Sequence, residues 1–207
     1  EEKVLMLALE QGDEQISLEA IADTLEACIE EPINARSLPI FDIEYLFTQI
    51  RSKSVGETTT IQAKCTECDT ANEITVDISK VNIKVPKGAN AKTVKLTNDI
   101  TLEMKYPTIK DIAPRMNKYK NGNQTDQAFD MIAQCIDAVQ MKDERFSLAD
   151  ESDEEVNAFI ESFSTDQFMK VRDFIEKMPR LKHDVDFVCG NCGHDNTLTL
   201  QGTADFF

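Results

Sequence analysis

Two Cys-x-x-Cys turns, each set between runs that alternate apolar and polar residues, constrain this fold more than any other feature of the chain. The first lies in "TTTIQAKCTECDTANEITV" (58–76) and the second in "KHDVDFVCGNCGHDNTLTL" (182–200). Alternation with a period of two is the pattern of a strand with one buried face, so each stretch predicts a β-hairpin whose turn carries two cysteines. Laying residue 58 on residue 182 puts Cys65 on Cys189, Cys68 on Cys192, Asn72 on Asn196, Ile74 on Leu198 and Val76 on Leu200. The match extends upstream, setting Phe47 on Val171 and Ile50 on Phe174. A repeated helix–strand–turn–strand unit, an internal pseudo-repeat, is the expectation.

A Cys-x-x-Cys turn directs two sulfurs to one side, and two such turns supply the four thiolates of a tetrahedral zinc site. Cys65, Cys68, Cys189 and Cys192 are therefore the expected ligands of one structural Zn2+. Cys68 and Cys189 are 121 positions apart, which weakens the spacing signal, and the paired hairpins restore much of it. Two alternatives stay open: metal-free thiols or disulfides, and a redox or other metal site. Adjacent Cys-x-x-Cys bridges would close only tiny loops, and neither pair opens a helix that would lower a nucleophile's pKa. Gly190 and Gly193 suit the second turn, where positive φ is expected, while Thr66 and Asp69 occupy the matching places in the first. His194 is expected to lie outside the ligand set, and Cys28 and Cys135 are expected to be buried small apolar residues.

The remainder reads as helix and short strand. Val4, Leu5, Leu7 and Ala8 have helical spacing, as do Ile21, Leu25, Cys28 and Ile29. Asp42 is expected to cap a helix carrying Ile43, Leu46, Phe47 and Ile50. Strand-like runs follow from Val94 to Met104, in a stretch where six Lys between Lys80 and Lys105 face two acidic residues. Solvation or contact with an acidic protein would account for that charge. Thr108 and Asp111 begin another helix. Phe129, Met131, Ile132, Cys135, Ile136 and Val139 form the apolar side of the next. Ser152 with Glu155 and Ser164 with Gln167 have capping-box spacing.

The fold class expected is α+β, with a predominantly helical body and two antiparallel Cys-x-x-Cys hairpins joined at a zinc-ribbon-like site. We expect a single domain over 1–207, divided into a helical part (1–60), a first hairpin with its β insertion (61–105), a second helical part (106–180) and a second hairpin (181–207). The chain opens without Met inside a helix-like pattern, so an upstream segment is expected. A net charge of −16 disfavours general nucleic-acid binding. There is no run of 18 apolar residues to span a membrane. No GxxxxGK[ST], HExxH or GxSxG motif occurs, and with two His in the chain histidine acid/base chemistry is restricted. No catalytic residue is assigned. A carboxylate-dependent enzyme and a zinc-stabilised regulatory adaptor are the competing readings.

Taken together, "EEKVLMLALE", "LPIFDIEYLFTQIRSKSVGE", "CTEC", "FIEKMPRLKHDVDFVCGNCG" and "LTLQGTADFF" resemble the baseplate hub subunit family of T-even-like tailed bacteriophages across nearly the whole chain. The resemblance implies a noncatalytic hub component or assembly factor, made in the host cytoplasm and retained or not in the virion tail baseplate. Its partners would be other baseplate hub or tail-assembly proteins. Phe41, Ile43, Leu46 and Phe47, or the terminal Phe206 and Phe207, would be available for packing or partner contact.

Overall fold

The computed structural model describes residues 14–116, 124–202 and 205. The helix expected around Val4 to Ala8 and the terminal Phe206 and Phe207 lie outside the described residues. The fold is mixed α+β and divides into two compact units. One takes in Arg36–Ile40 and, of the described residues, 14–20 and those of Val85–Met178. The other is assembled from Ile21–Ala35, Phe41–Lys84 and Pro179–Phe207.

In the first unit, strands β4 (Thr93–Lys95), β5 (Ile100–Met104), β6 (Ile136–Met141) and β7 (Glu144–Ser147) form an antiparallel sheet in sequence order. Helices α3 (Ile109–Met116), α4 (Gln124–Cys135), α5 (Asp153–Glu161) and α6 (Thr165–Glu176) belong to the same unit. Its core joins Leu102, Met104, Ile132, Ile136, Val156, Ile160, Val171 and Phe174. Both capping boxes expected from sequence are formed: the Ser152 hydroxyl accepts from Glu155 N–H and that of Ser164 from Gln167 N–H, with each N3 side chain bonding back. The start of α3 is closed in a related way, with Thr108 N–H and Oγ1 both donating to Asp111.

Ile136 and Val139 correct the sequence reading, since they lie on β6 and not on a helix with Ile132. The chain passes from α4 to β6 with no loop between Cys135 and Ile136, so apolar residues of a helix end and a strand start fall by accident at helical spacing. Met131, on α4, is exposed. Part of the lysine-rich stretch is matched locally: Lys105 pairs with Asp111, and Lys92 lies over the Tyr106 ring.

The second unit contains helix α2 (Ile40–Ser54, of which Phe41 onward belongs here), a two-stranded sheet β1–β2 (Thr58–Lys64, Ala71–Asp77) and a three-stranded sheet in the order β3–β8–β9. Strand β3 is Asn82–Lys84, β8 is Arg180–Val188 and β9 is Asp195–Gln201, and every pairing is antiparallel. The chain therefore leaves this unit at Lys84 and returns at Pro179. Ala63, Ile74, Val76, Ile78, Val81, Leu181 and Leu200 make a core that draws on both hairpins, so apolar burial already holds them together. Helix α2 starts at Ile40, two residues before Asp42, which lies in its first turn where a negative charge favours the helix N-terminus. Ile43 and Phe47 face inward.

In α1 (Glu14–Cys28), Ile21, Ala22 and Leu25 are buried. Cys28 is exposed, contrary to expectation, because the helix ends there and its apolar stripe stops at Leu25, whereas Cys135 is fully buried.

Candidate metal centre

The hairpin tips are built alike. Lys64 pairs with Ala71 at the end of β1–β2, and Val188 with Asp195 at the end of β8–β9, so each turn spans the same six residues. In the first, Cys65 N–H donates to Thr70 O and Asp69 N–H to Cys65 O; in the second, Cys189 N–H donates to His194 O and Gly193 N–H to Cys189 O. Both turns need a left-handed residue after their second cysteine. Asp69 supplies it at φ 56° and Gly193 at φ 73°. Asp tolerates that region better than most residues, which lets the glycine-poor first turn close like the second. Gly190 is not among the positive-φ glycines, so the expectation holds at Gly193 alone.

The turns bring the four sulfurs of Cys65, Cys68, Cys189 and Cys192 within 4.8 Å of one another. Between the hairpins, Cys65 Sγ lies 3.7 Å from Cys192 Sγ, and Cys68 Sγ 3.7 Å from Cys189 Sγ. These separations far exceed a disulfide bond of about 2.05 Å. They match the edge of a tetrahedron whose centre-to-sulfur distance is about 2.3 Å, an edge of roughly 3.8 Å. Cys65 and Cys189 are buried, Cys68 is half-buried and Cys192 is exposed. His194 contributes its backbone carbonyl to the turn and is not in the cluster.

The electrostatics of the cluster favour a cation. Hydrogen bonding with Thr70, through its hydroxyl first and its backbone second, brings the Cys68 thiol down to about 6 despite partial desolvation. Backbone groups of Cys192 and Asn191 lower Cys189. At Cys192 a backbone hydrogen bond from His194 pulls the other way, yet Cys68, desolvation and the remaining sulfurs push the thiol up to about 12. Thiolates this close repel, so the cluster holds back a proton that a bound cation would release. The donor set and geometry are compatible with metal coordination.

Three side chains whose roles were not legible from sequence complete the site. Asn72 Oδ1 accepts from Gly190 N–H at 2.9 Å, and Asn196 Oδ1 accepts from Thr66 N–H at 2.9 Å. Their amide nitrogens point at sulfur, Asn72 Nδ2 at Cys189 and Asn196 Nδ2 at Cys65. Asn191 Nδ2 donates to Thr70 Oγ1 at 3.2 Å and approaches Cys68 Sγ at 3.7 Å. The alignment of Asn72 with Asn196 was the available signal, but it carried no chemistry until the hairpins were seen together.

Fold and site define a mixed α+β protein with a cluster of four cysteine sulfurs whose geometry is compatible with metal coordination. Among the described residues, no helix is long and apolar enough to cross a membrane. Residues 1–207 match the family described as T4 bacteriophage base plate protein, and the chain belongs to that family. No curated protein and no solved structure matches it. Membership assigns a noncatalytic structural or assembly role in the phage baseplate, exercised through contact with other baseplate or tail components.

Proposed function

We propose that this chain is a component or assembly factor of the central hub of the tail baseplate, and that Cys65, Cys68, Cys189 and Cys192 bind one structural Zn2+. The observation that carries the reading is the closed, sulfur-only donor set in a chain of the baseplate family. Zinc accepts four thiolates in a tetrahedron and has no redox chemistry of its own, so it would pin a zinc-ribbon-like pair of hairpins. The matched turns support reading the hairpins as an internal pseudo-repeat. A reducing host cytoplasm during assembly fits clustered thiols. The partners are other hub or tail-assembly proteins, and the acidic chain is not expected to bind nucleic acid.

Two measurements test this. Metal analysis of untagged, reduced, folded protein is expected to find one zinc per chain, and a content near zero would remove the zinc. Co-expression with the neighbouring tail-assembly gene products is expected to yield a stable hub subcomplex containing this chain. Failure to join any of them, with the chain folded, would overturn the hub assignment.

A further inference from the structure

The hydrogen bonds around the sulfurs form a reciprocal pattern. Asn72 sits on the first hairpin and reaches the second, accepting from Gly190 N–H and donating to Cys189 Sγ, at 2.9 and 3.8 Å. Asn196 does the converse, accepting from Thr66 N–H and donating to Cys65 Sγ, at 2.9 and 3.6 Å. Each amide is held at its base by its own turn: Asn72 Nδ2 also donates to Thr70 O at 2.8 Å, and Asn196 Nδ2 to His194 O at 2.9 Å. Asn196 is buried, and its Oδ1 takes a further bond from Thr66 Oγ1 at 2.9 Å. A side chain anchored at home and bonded abroad through both of its ends fixes the distance between the two hairpins.

The sulfurs it reaches are the two withdrawn from solvent, Cys65 at 1% and Cys189 at 2% exposure. A buried thiolate cannot be solvated by water, so its remaining lone pairs need protein donors. Cys192 is exposed and needs no such provision. The asparagines thus add side-chain donors to the buried half of the cluster, where Cys189 also receives backbone hydrogen bonds from Cys192 and Asn191.

We propose that Asn72 and Asn196 are positioning residues of the metal centre, a two-way latch that orients the buried thiolates and sets how fast the metal leaves. The proposal rests on the zinc reading above. Outer hydrogen bonds of this kind change metal affinity by about 10- to 100-fold in other sites. Removing either amide should speed metal release by about that factor while leaving all four ligands in place.

The test uses the full chain as wild type, N72A, N196A, the double variant, and the pair N72D and N196D. Aspartate keeps the oxygen that accepts the cross-hairpin N–H but loses the N–H donor to sulfur. Zinc content is measured first, then the rate of zinc transfer to a chromogenic chelator. The near-ultraviolet thiolate-to-metal charge-transfer band of Co2+-loaded protein is then recorded. The latch predicts one zinc per chain throughout and release about 10- to 100-fold faster in both Ala variants. It also predicts a red-shifted cobalt band in Ala and Asp variants alike, because a sulfur without its N–H donor gives up electrons more easily. Amide exchange at Thr66 and Gly190 should quicken in Ala variants and stay slow in Asp variants, which also covers the case of an Ala variant that folds poorly. Wild-type release rates with an unmoved cobalt band would overturn the latch and leave zinc standing. A wild-type protein that takes up no zinc would overturn both.

Discussion

Replacing one complete cysteine pair, as in C189S/C192S, removes the proposed zinc's hold on the second hairpin while leaving Gly193 and Asn196 in place. Cys68 and Cys189 are 121 positions apart, and a cross-link closing a loop of that length is worth about 5 kcal/mol in the chain-entropy treatment. A second route gives a similar size: free zinc at 1,000 times its dissociation constant stabilises the folded form by about 4 kcal/mol. The shared apolar core of Val76, Ile78, Val81, Leu181 and Leu200 keeps the hairpins docked without metal, so the expected result is loosening and not loss of the unit. Amide hydrogen exchange in β8 and β9 reads this locally, and about 4 kcal/mol corresponds to roughly 10³-fold faster exchange. Wild type should show that change on chelation, and the double variant should show it already and respond no further to chelator. That cycle separates metal loss from the packing cost of two serines. A change below about tenfold in wild type, or an equal chelator response in the variant, would refute the reasoning.

The core itself yields a matched pair. Leu181 is fully buried and Val188 is 64% exposed on the same strand. Leu181→Ala should cost about 2–5 kcal/mol in a denaturant titration, and Val188→Ala should stay within about 0.5 kcal/mol. The cysteines give a different reading: burial pushes the Cys135 thiol up to about 12, while Cys28 is exposed. Alkylation of native protein at pH 8, followed by mass spectrometry, should therefore label Cys28 within minutes and leave Cys135 unmodified until denaturant is added, and equal labelling of the two would contradict the packing around Cys135.

What was legible in the sequence was what neighbouring residues decide among themselves. Alternation around "CTEC" and "CGNC" specified two hairpins, Ser152 and Ser164 announced helix starts, and each pair of thiols was placed by its own turn. Illegible parts depended on residues far away or on a change of element without punctuation. Ile136 and Val139 were read as helix because α4 runs straight into β6, and the short strand β7 was hidden in an acidic segment that favours no element strongly. Asn72 and Asn196 were visible as a repeat and opaque as chemistry, since their bonds reach 118 and 130 positions along the chain.

The same distance explains why the repeated residues are the ones that matter at the tips. Because the hairpin unit is interrupted between Lys84 and Pro179, each hairpin can form from local sequence, but their docking brings together ends that an intervening unit separates. Closing such a gap has an entropic cost that grows only slowly with its length, so a few strong, directional contacts suffice to meet it. Apolar side chains such as Leu181 and Leu200 supply attraction without fixing a register at the tip. Sulfur-to-sulfur geometry and the crossed amides do fix it, because a slip of one residue would turn Asn196 Oδ1 away from Thr66 N–H and carry Cys189 from Cys68. On this reasoning the four cysteines and two asparagines specify the alignment of the hairpins, and the core beneath them supplies most of the attraction.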